Sequence, residues 1–493
     1  MKKLILLLAG FVLSTSIFAY TLPKANFHNY SVSHKRSTLP TRYDSRELGI
    51  VFPARDQGNT GTCWAFSACE VIRTLYHKNN QACESLAPIV YVNCANKIGF
   101  TRVSLEEGGN ENIVACMNAR LLTPVKQANV PEITSWNNSC PEHKEDNIHG
   151  YVLGTKELPS KDNIAIKKAI MEYGSVFGSL YYKEEYLNKD YFYEYLGKKD
   201  PNHAANIVGW DDTKNAWLVK NTWGSSFGND GFYWVSYKDS LISKRAVVFY
   251  QTVDKNNIDN VYGYSNTGAI TSVGGGENRP LSIMLAYGIE EGESIEYIST
   301  FTTDPNTKVN ILVQTSDDNE ILYNSNEFTV EYPGFHLHKL NTPVVSNGDT
   351  LLVQMSFVSE KGTPIGIELQ DPSVNNIEYH SNQWFFDGID WVSVGKDGSK
   401  DNKFNFVVYV YTKKQSTDIE DNISNDDKSI IVGGEINPQV WDYAIRANIF
   451  DVSGRNFGTI KPGDKMPNLN TGYYVLVIDK KDGGFMVEKF NAY

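Results

Sequence analysis

The chain predicts an α+β domain followed by two all-β domains. Three observations carry this. Up to about residue 250, stretches of helical periodicity are mixed with short apolar strands. From about residue 260, runs rich in Val, Ile, Thr and aromatics are separated by clusters of Asn, Asp and Gly. All six cysteines, at 63, 69, 83, 94, 116 and 140, belong to the first of these regions. A length of 493 residues suits roughly two to four domains. With 41% hydrophobic and 21% charged residues, the bulk can bury ordinary cores. Acidic residues outnumber basic ones, 58 to 46, for a net charge of −12. No run of Lys or Arg interrupts that balance, which argues against a nucleic-acid partner.

The elements follow in order. Residues 1–19 read as a secretory signal peptide: Lys2 and Lys3 precede an apolar run over 4–13, and Ala19 suits cleavage. That run is short for a membrane span, and no later one is apolar enough. The mature protein is expected to lack an integral membrane segment and to meet an oxidising compartment. Residues 20–39 read as a short pro-segment or linker. In the first domain, 40–251, Phe66, Val71 and Leu75 fall on one face with Ala65 and Ala68, predicting a helix over 64–77. A second amphipathic helix is predicted over 164–173, and strands over 175–182, 204–210 and 216–220. The second domain, 260–412, carries candidate strands at 294–302, 308–314, 335–340, 350–357, 365–369 and 405–411, the pattern of an all-β sandwich. Residues 413–429 are acidic and nearly free of apolar side chains, and read as a flexible linker. The last domain, 430–493, has strands at 444–451, 472–479 and 484–490, with turn signals at Ser453-Gly454 and Asp482-Gly483. It suits a small sandwich.

The chemistry concentrates in 53–76, PARDQGNTGTCWAFSACEVIRTLY. A Gly-containing turn delivers Cys63 to the start of a helix, whose positive end favours thiolate. A thiolate attacks carbonyl carbon, and the resulting oxyanion needs donors fixed in advance. Gln57 can offer its side-chain amide, and the backbone N–H of Cys63 a second donor. The base is expected near in space and far in sequence. His203, in PNHAANIVGWDD, opens an apolar strand 140 residues on. Asn221, in AWLVKNTWGSSFGNDGFYWV, follows another. Its side-chain carbonyl can orient the imidazole, and Trp223 can shield that hydrogen bond from water. With Cys63 kept free, five cysteines remain, so at least one more thiol is unpaired.

QGxxGxCWAFS, a His-Ala ahead of Val-Gly, and LVKNTWG, in that order, resemble the papain family of cysteine peptidases. The likeness covers about 210 residues. It implies a two-lobed fold, with Cys63 on a mostly helical lobe, His203 and Asn221 on a β-rich lobe, and a cleft between them. It implies endopeptidase activity through a thiolate–imidazolium pair and a thioester acyl-enzyme, on protein or peptide substrates, with no cofactor and no metal. Gly108 and Gly109 match the segment that receives an extended substrate backbone, and Trp223 borders it. The family also implies a disulfide between Cys94 and Cys140; for Cys69, Cys83 and Cys116, one pair and one free thiol would fit. Two departures stand out. Thr60 occupies the place of a usual cysteine, and Glu106-Glu107 stand where its partner is expected, so both halves of one family disulfide are missing. The twenty residues 20–39 are too few for the family's long helical propeptide.

The second domain resembles the lectin-like module that follows papain-type domains in some bacterial secreted proteins, on NVYGYSNTG and GFHLHKLNTPVVSNGDTLLVQMSF. Trp384, Phe385, Phe386 and Trp391 offer a stacking surface for a surface glycan, although core packing explains such aromatics as well. The last domain resembles the C-terminal sorting domain of type IX secretion, on ANIFDVSGRNFGTI, LNTGYYVLVIDKKDGG and VEKF. It implies the secretion machinery as a partner and export through the periplasm of a Gram-negative bacterium to the medium or cell surface. Two other readings compete: an adhesin with an inert peptidase-like scaffold, and an exopeptidase. The intact Cys63, His203, Asn221 and Gln57 disfavour the first, and no segment that would block one end of the cleft supports the second.

Overall fold

The computed structural model describes residues 30–31, 39–101, 103–131, 139–371, 374, 377–399, 402–415, 431–432, 435–436, 438–451, 455–470, 472–481 and 485–492. The signal-peptide expectation, most of the pro-segment, the linker from 416 to 429 and both C-terminal turn signals lie outside these residues. The chain forms two compact units, Met1–Lys414 and Gln415–Tyr493.

In the first unit, helix α1 (Cys63–Lys78) is buried on nearly every side, as a helix at the centre of a domain must be. Helices α2 (Ile89–Cys94) and α3 (Glu111–Ala119) pack beside it. Asn110 caps α3 by accepting from the N–H groups of Asn112 and Ile113, satisfying two orphan donors. Asp162 caps α4 (Asn163–Tyr173) in the same way. The opposite lobe is an eight-stranded sheet of β1 (Arg42–Asp44), β2 (Gly150–Glu157), β3 (Val176–Leu180), β4 (Phe192–Tyr193), β5 (His203–Asp211), β6 (Ala216–Lys220), β7 (Phe232–Ser236) and β8 (Ala246–Asp254). Its order is β2-β8-β3-β5-β6-β7-β4, with β1 added against β5. Every residue of β5 is buried. That accounts for its continuous apolar reading, and it places His203 at the strand's first position.

From Asn260 onward, two seven-stranded sheets face each other. Their facing side chains, among them Ile283, Val309, Val353, Phe357, Phe406 and Val410, form one dry core. Phe385 packs against this core, whereas Phe386 and Trp391 form a cross-strand pair at the sheet edge and stay 38% and 36% exposed.

The separation expected near residue 255 is not a separation of cores. Tyr297, Phe301, Phe335, Tyr409 and Tyr411 of the sandwich belong to the same buried cluster as α1, α2, α3 and Phe249. The seam is also hydrogen-bonded. Gln251, at φ 57°, leaves the strand conformation. Its side-chain amide then pairs with the backbone of Leu337 as a peptide group would: Nε2 donates to Leu337 O at 2.7 Å, and Leu337 N donates to Oε1 at 2.9 Å. Thr155 Oγ1 accepts from Phe335 N, and Tyr411 donates to Ala119 O at 3.0 Å. Strand Val408–Lys414 also runs two residues into the stretch read as linker.

The second unit is a four-stranded antiparallel sheet in the order Asn456–Ile460, Ala444–Asp451, Gly472–Lys480, Phe485–Ala492, with a short ribbon of Ile431–Val432 and Glu435–Ile436. Ala447, Ile449, Ile460, Leu476 and Ile478 give it a small core of its own.

Candidate active site

Cys63 is the first residue of α1 and follows Thr62, which makes no side-chain capping bond. The turn before it is pinned by backbone. Gly61 N donates to Leu105 O at 2.5 Å, and a Cβ on Gly61 would lie 2.7 Å from Glu106 O. Two segments that the missing disulfide would have joined are thus drawn together by a peptide hydrogen bond, at a distance only glycine permits.

A cleft of about 1110 Å³ is lined by Gln57, Cys63, Gly108, Gly109, His203 and Trp223 together. The structure therefore brings the six sequence-predicted cleft residues to one place. Asn221 sits behind them: His203 Nε2 lies 2.7 Å from Asn221 Oδ1, both side chains buried. An amide oxygen can only accept, so Nε2 carries the hydrogen and Nδ1 keeps its lone pair. Trp223 stacks on the imidazole, ring centroids 4.6 Å apart and 30° inclined. Tyr182 and Phe227 meet the indole edge-on at 4.6 and 5.1 Å. These two rings were not singled out from the sequence: Tyr182 falls at the end of the stretch read as a strand over 175–182, just past β3, and Phe227 lies in a Gly-rich loop with no periodic signal.

Gln57 is 5% exposed and held from both ends of its amide. Oε1 accepts from Thr222 Oγ1, and Nε2 donates to Thr60 O, both at 2.5 Å. One hydrogen of Nε2 is committed to Thr60; an amide nitrogen carries two. Gly109 is close-packed on Trp64, where a Cβ would fall 2.4 Å from the indole. Gly108 has φ +79°, a left-handed conformation that favours glycine.

The electrostatics run against a preformed ion pair. Burial pushes the Cys63 thiol up, opposed by nearby backbone N–H groups, Ala204 foremost. Burial pushes the His203 imidazolium down to about 4, opposed by Asn221. Charge separation between them must come from their mutual attraction, the N-terminus of α1 and those N–H groups.

A further ionic contact holds the two lobes together. Lys220 Nζ of β6 meets Glu70 Oε2 of α1 at 2.5 Å, with side chains 3% and 5% exposed. Glu70 lies two turns beyond Cys63, and Lys220 immediately precedes Asn221. The signal in the sequence was a single charge in each of two otherwise apolar segments, EVI after SAC and AWLVK.

Cys94 and Cys140 are disulfide-bonded. Cys69, Cys83 and Cys116 are all free and buried, so no second pair forms among them. Cys69 and Cys116 are wholly enclosed, and burial raises both thiols far above the usual range. That marks them as packing residues.

Comparison with known proteins agrees with this arrangement. Residues 39–250 match the model of the papain family cysteine proteases, and residues 261–421 that of the lectin like domain. Mouse cathepsin K is 27% identical over 203 residues, 39% of this chain and 59% of the cathepsin. Chicken cathepsin K is 29% identical over 206 residues, 40% of this chain and 58% of that protein. The chain thus spans less than two thirds of these relatives. Among solved structures, the clostridial cysteine protease Cwp84 after propeptide cleavage superposes with a TM-score of 0.67 at 20% identity, covering 76% of this chain and 99% of that one. A structure of the cysteine protease and lectin-like domains of Cwp84, a surface layer associated protein of Clostridium difficile, gives 0.67 at 18% identity, covering 79% and 91%. Fold, cleft and family models converge: the chain carries a papain-family cysteine protease domain followed by a lectin-like domain.

Proposed function

We propose that the protein is a secreted cysteine endopeptidase with Cys63 as nucleophile, His203 as base and Asn221 as the group that orients it. The observation that carries this is the buried His203–Asn221 hydrogen bond under Trp223, in a cleft shared with a thiol at a helix N-terminus. Nδ1 takes the thiol proton as Sγ attacks the substrate carbonyl carbon. The oxyanion is held by the backbone N–H of Cys63 and the second amide hydrogen of Gln57. Collapse expels the amine, which takes the proton from His203, and leaves a thioester. Water, losing its proton to the same nitrogen, then releases the acid. Gly108 and Gly109 receive the substrate backbone: both line the cleft, and the left-handed φ of one and the close packing of the other on Trp64 keep that wall free of side chains.

The signal-peptide reading and the likeness to the surface-associated Cwp84 support a place outside the cell or on its surface. The C-terminal unit, with a core of its own, supports a sorting role through the type IX route of a Gram-negative bacterium. The exposed Phe386–Trp391 pair supports a glycan contact by the lectin-like domain. The peptidase reading is tested by Cys63→Ala, which should abolish both peptide cleavage and labelling by a thiol-directed epoxide while leaving the fold intact by circular dichroism. Equal labelling of wild type and variant would remove Cys63 from the chemistry, and no cleavage by wild type of any peptide in a diverse library would favour an inert scaffold.

A further inference from the structure

One end of α3 borders the cleft and the other is hydrogen-bonded to the lectin-like domain. At the cleft end, Gly108, Gly109, Asn110 and Glu111 all line the cavity, and Asn110 caps the helix. A nine-residue helix is a stiff lever, because each turn fixes the next. At the far end, Cys116 Sγ–H donates to Thr267 O at 3.1 Å. Tyr411 donates to Ala119 O, and Arg120 Nη1 donates to Gly263 O at 3.2 Å.

The loop that meets Cys116 is itself fixed. The Glu368 carboxylate, 1% exposed, accepts from Asn266 N at 2.8 Å, Thr267 N at 2.5 Å and Thr267 Oγ1 at 2.8 Å. Its other oxygen accepts from Asn405 Nδ2 at 2.9 Å. A buried carboxylate with this many donors is held tightly, since any movement strands charge in a low dielectric. Between loop and helix there is no slack. A Cβ on Gly268 would lie 2.2 Å from Cys116 Sγ but 3.6 Å from Cys116 Cβ.

We propose that the loop 265–268 of the lectin-like domain is a positioning element for the substrate backbone, acting through α3 on Gly108 and Gly109. The inference rests on the peptidase reading, with Gly108-Gly109 as the segment that receives substrate. Loop, helix and glycine pair form one packed series, so a displacement at Gly268 reaches the cleft wall. The series meets the Cys63–His203–Asn221 group, on α1, β5 and the residue after β6, only one step further on, where Gly109 packs on Trp64, so the cleft wall takes the displacement first. The signature is therefore weaker substrate binding with unchanged chemistry.

The test uses the full chain and one fluorogenic peptide amide that the wild type cleaves. Gly268→Ala drives a methyl group into the Cys116 sulfur, and KM should rise by on the order of tenfold with kcat within about twofold. In Gly268→Ala/Cys116→Ala the sulfur is gone, and KM should return to that of Cys116→Ala alone. The strained φ of +76° at position 268 persists in both, so a merely structural effect would lower thermal stability in each and leave KM unmoved. KM unchanged in folded Gly268→Ala, or raised equally in the single and double variants, overturns the proposal. If Gly268→Ala does not fold, Thr267→Val decides, because it removes the loop's own side-chain bond to Glu368: a KM rise with kcat preserved supports the proposal, and an unchanged KM overturns it. Failure of the peptidase reading is distinguishable, because the wild type would then neither cleave the peptide nor be labelled at Cys63.

Discussion

Removing one partner of the Glu70–Lys220 pair should be costly, and removing both should be cheap. The side chains are 5% and 3% exposed and meet at 2.5 Å. Burial alone pushes the Lys220 ammonium down, and Glu70 is the group that opposes this, while Arg73 and Arg55 nearby add repulsion. Glu70→Gln therefore leaves a buried cation facing two guanidinium groups. A broken buried pair typically costs about 3–5 kcal/mol, whereas apolar replacement of both partners is often neutral. Glu70→Gln should fall in that range, and Glu70→Gln/Lys220→Met should recover most of the loss. Urea unfolding of all four members of the cycle measures this. Turnover adds a second readout, because Lys220 adjoins Asn221 and its release should loosen the His203–Asn221 bond, lowering kcat in the single variant more than in the double. A Glu70→Gln variant within about 1 kcal/mol of wild type would mean that the pair does not hold the two lobes together.

Three further outcomes are expected. Gln57→Ala should lower turnover about 100- to 1000-fold, or roughly 3–4 kcal/mol, with KM nearly unchanged; wild-type turnover, with chemistry rate-limiting, would exclude Gln57 from the oxyanion site. Burial lowers His203 to about 4 and His336 to about 3, while an unfolded imidazole titrates near pH 6.5. Between those values the unfolded chain binds more protons, so stability is full above about pH 6.5 and is lost as pH falls toward 4 and 3. His336→Gln should flatten that slope by about one proton in pH-dependent urea melts, and an unaltered slope would contradict a buried neutral imidazole at 336. Finally, a chain ending at residue 258 should fail to give a cooperative melt, because it bares the cluster completed by Phe301, Phe335, Tyr409 and Tyr411, whereas one ending at residue 414 should melt and cleave peptide like the full chain.

What was legible in the sequence was what neighbouring residues encode together. Cys63 was readable because turn, nucleophile and helix start are contiguous, and β5 because all nine of its residues are buried. His203 and Asn221 were readable because each sits at the edge of such an apolar strand. Helix α3 was missed: ENIVACMNA is short, and its apolar residues read equally as a buried strand. The seam with the sandwich was beyond reach for a different reason. Gln251 pairs with Leu337, and Tyr411 with Ala119, across 86 and 292 positions, and nothing local marks a glutamine as a stand-in for a peptide group. Glu368 reads as an ordinary strand carboxylate until Asn266, Thr267 and Asn405 are seen around it.

The turn that presents Cys63 is closed by the Gly61 N–H on Leu105 O and by the near-contact of Gly61 with Glu106, with Thr60 in place of the cysteine that the family resemblance leads one to expect. Thiol peptidases are kept alive by reductants that hold the nucleophile unoxidised, and a cross-link beside the nucleophile would be exposed to the same agents. Here that exposure is absent. Reductant can open Cys94–Cys140, which ties α2 to the chain ahead of β2, without cutting the tether of the turn at Cys63. The shape of the cleft mouth at Gly61 thereby rests on a backbone hydrogen bond and close packing, neither of which a reductant can cut.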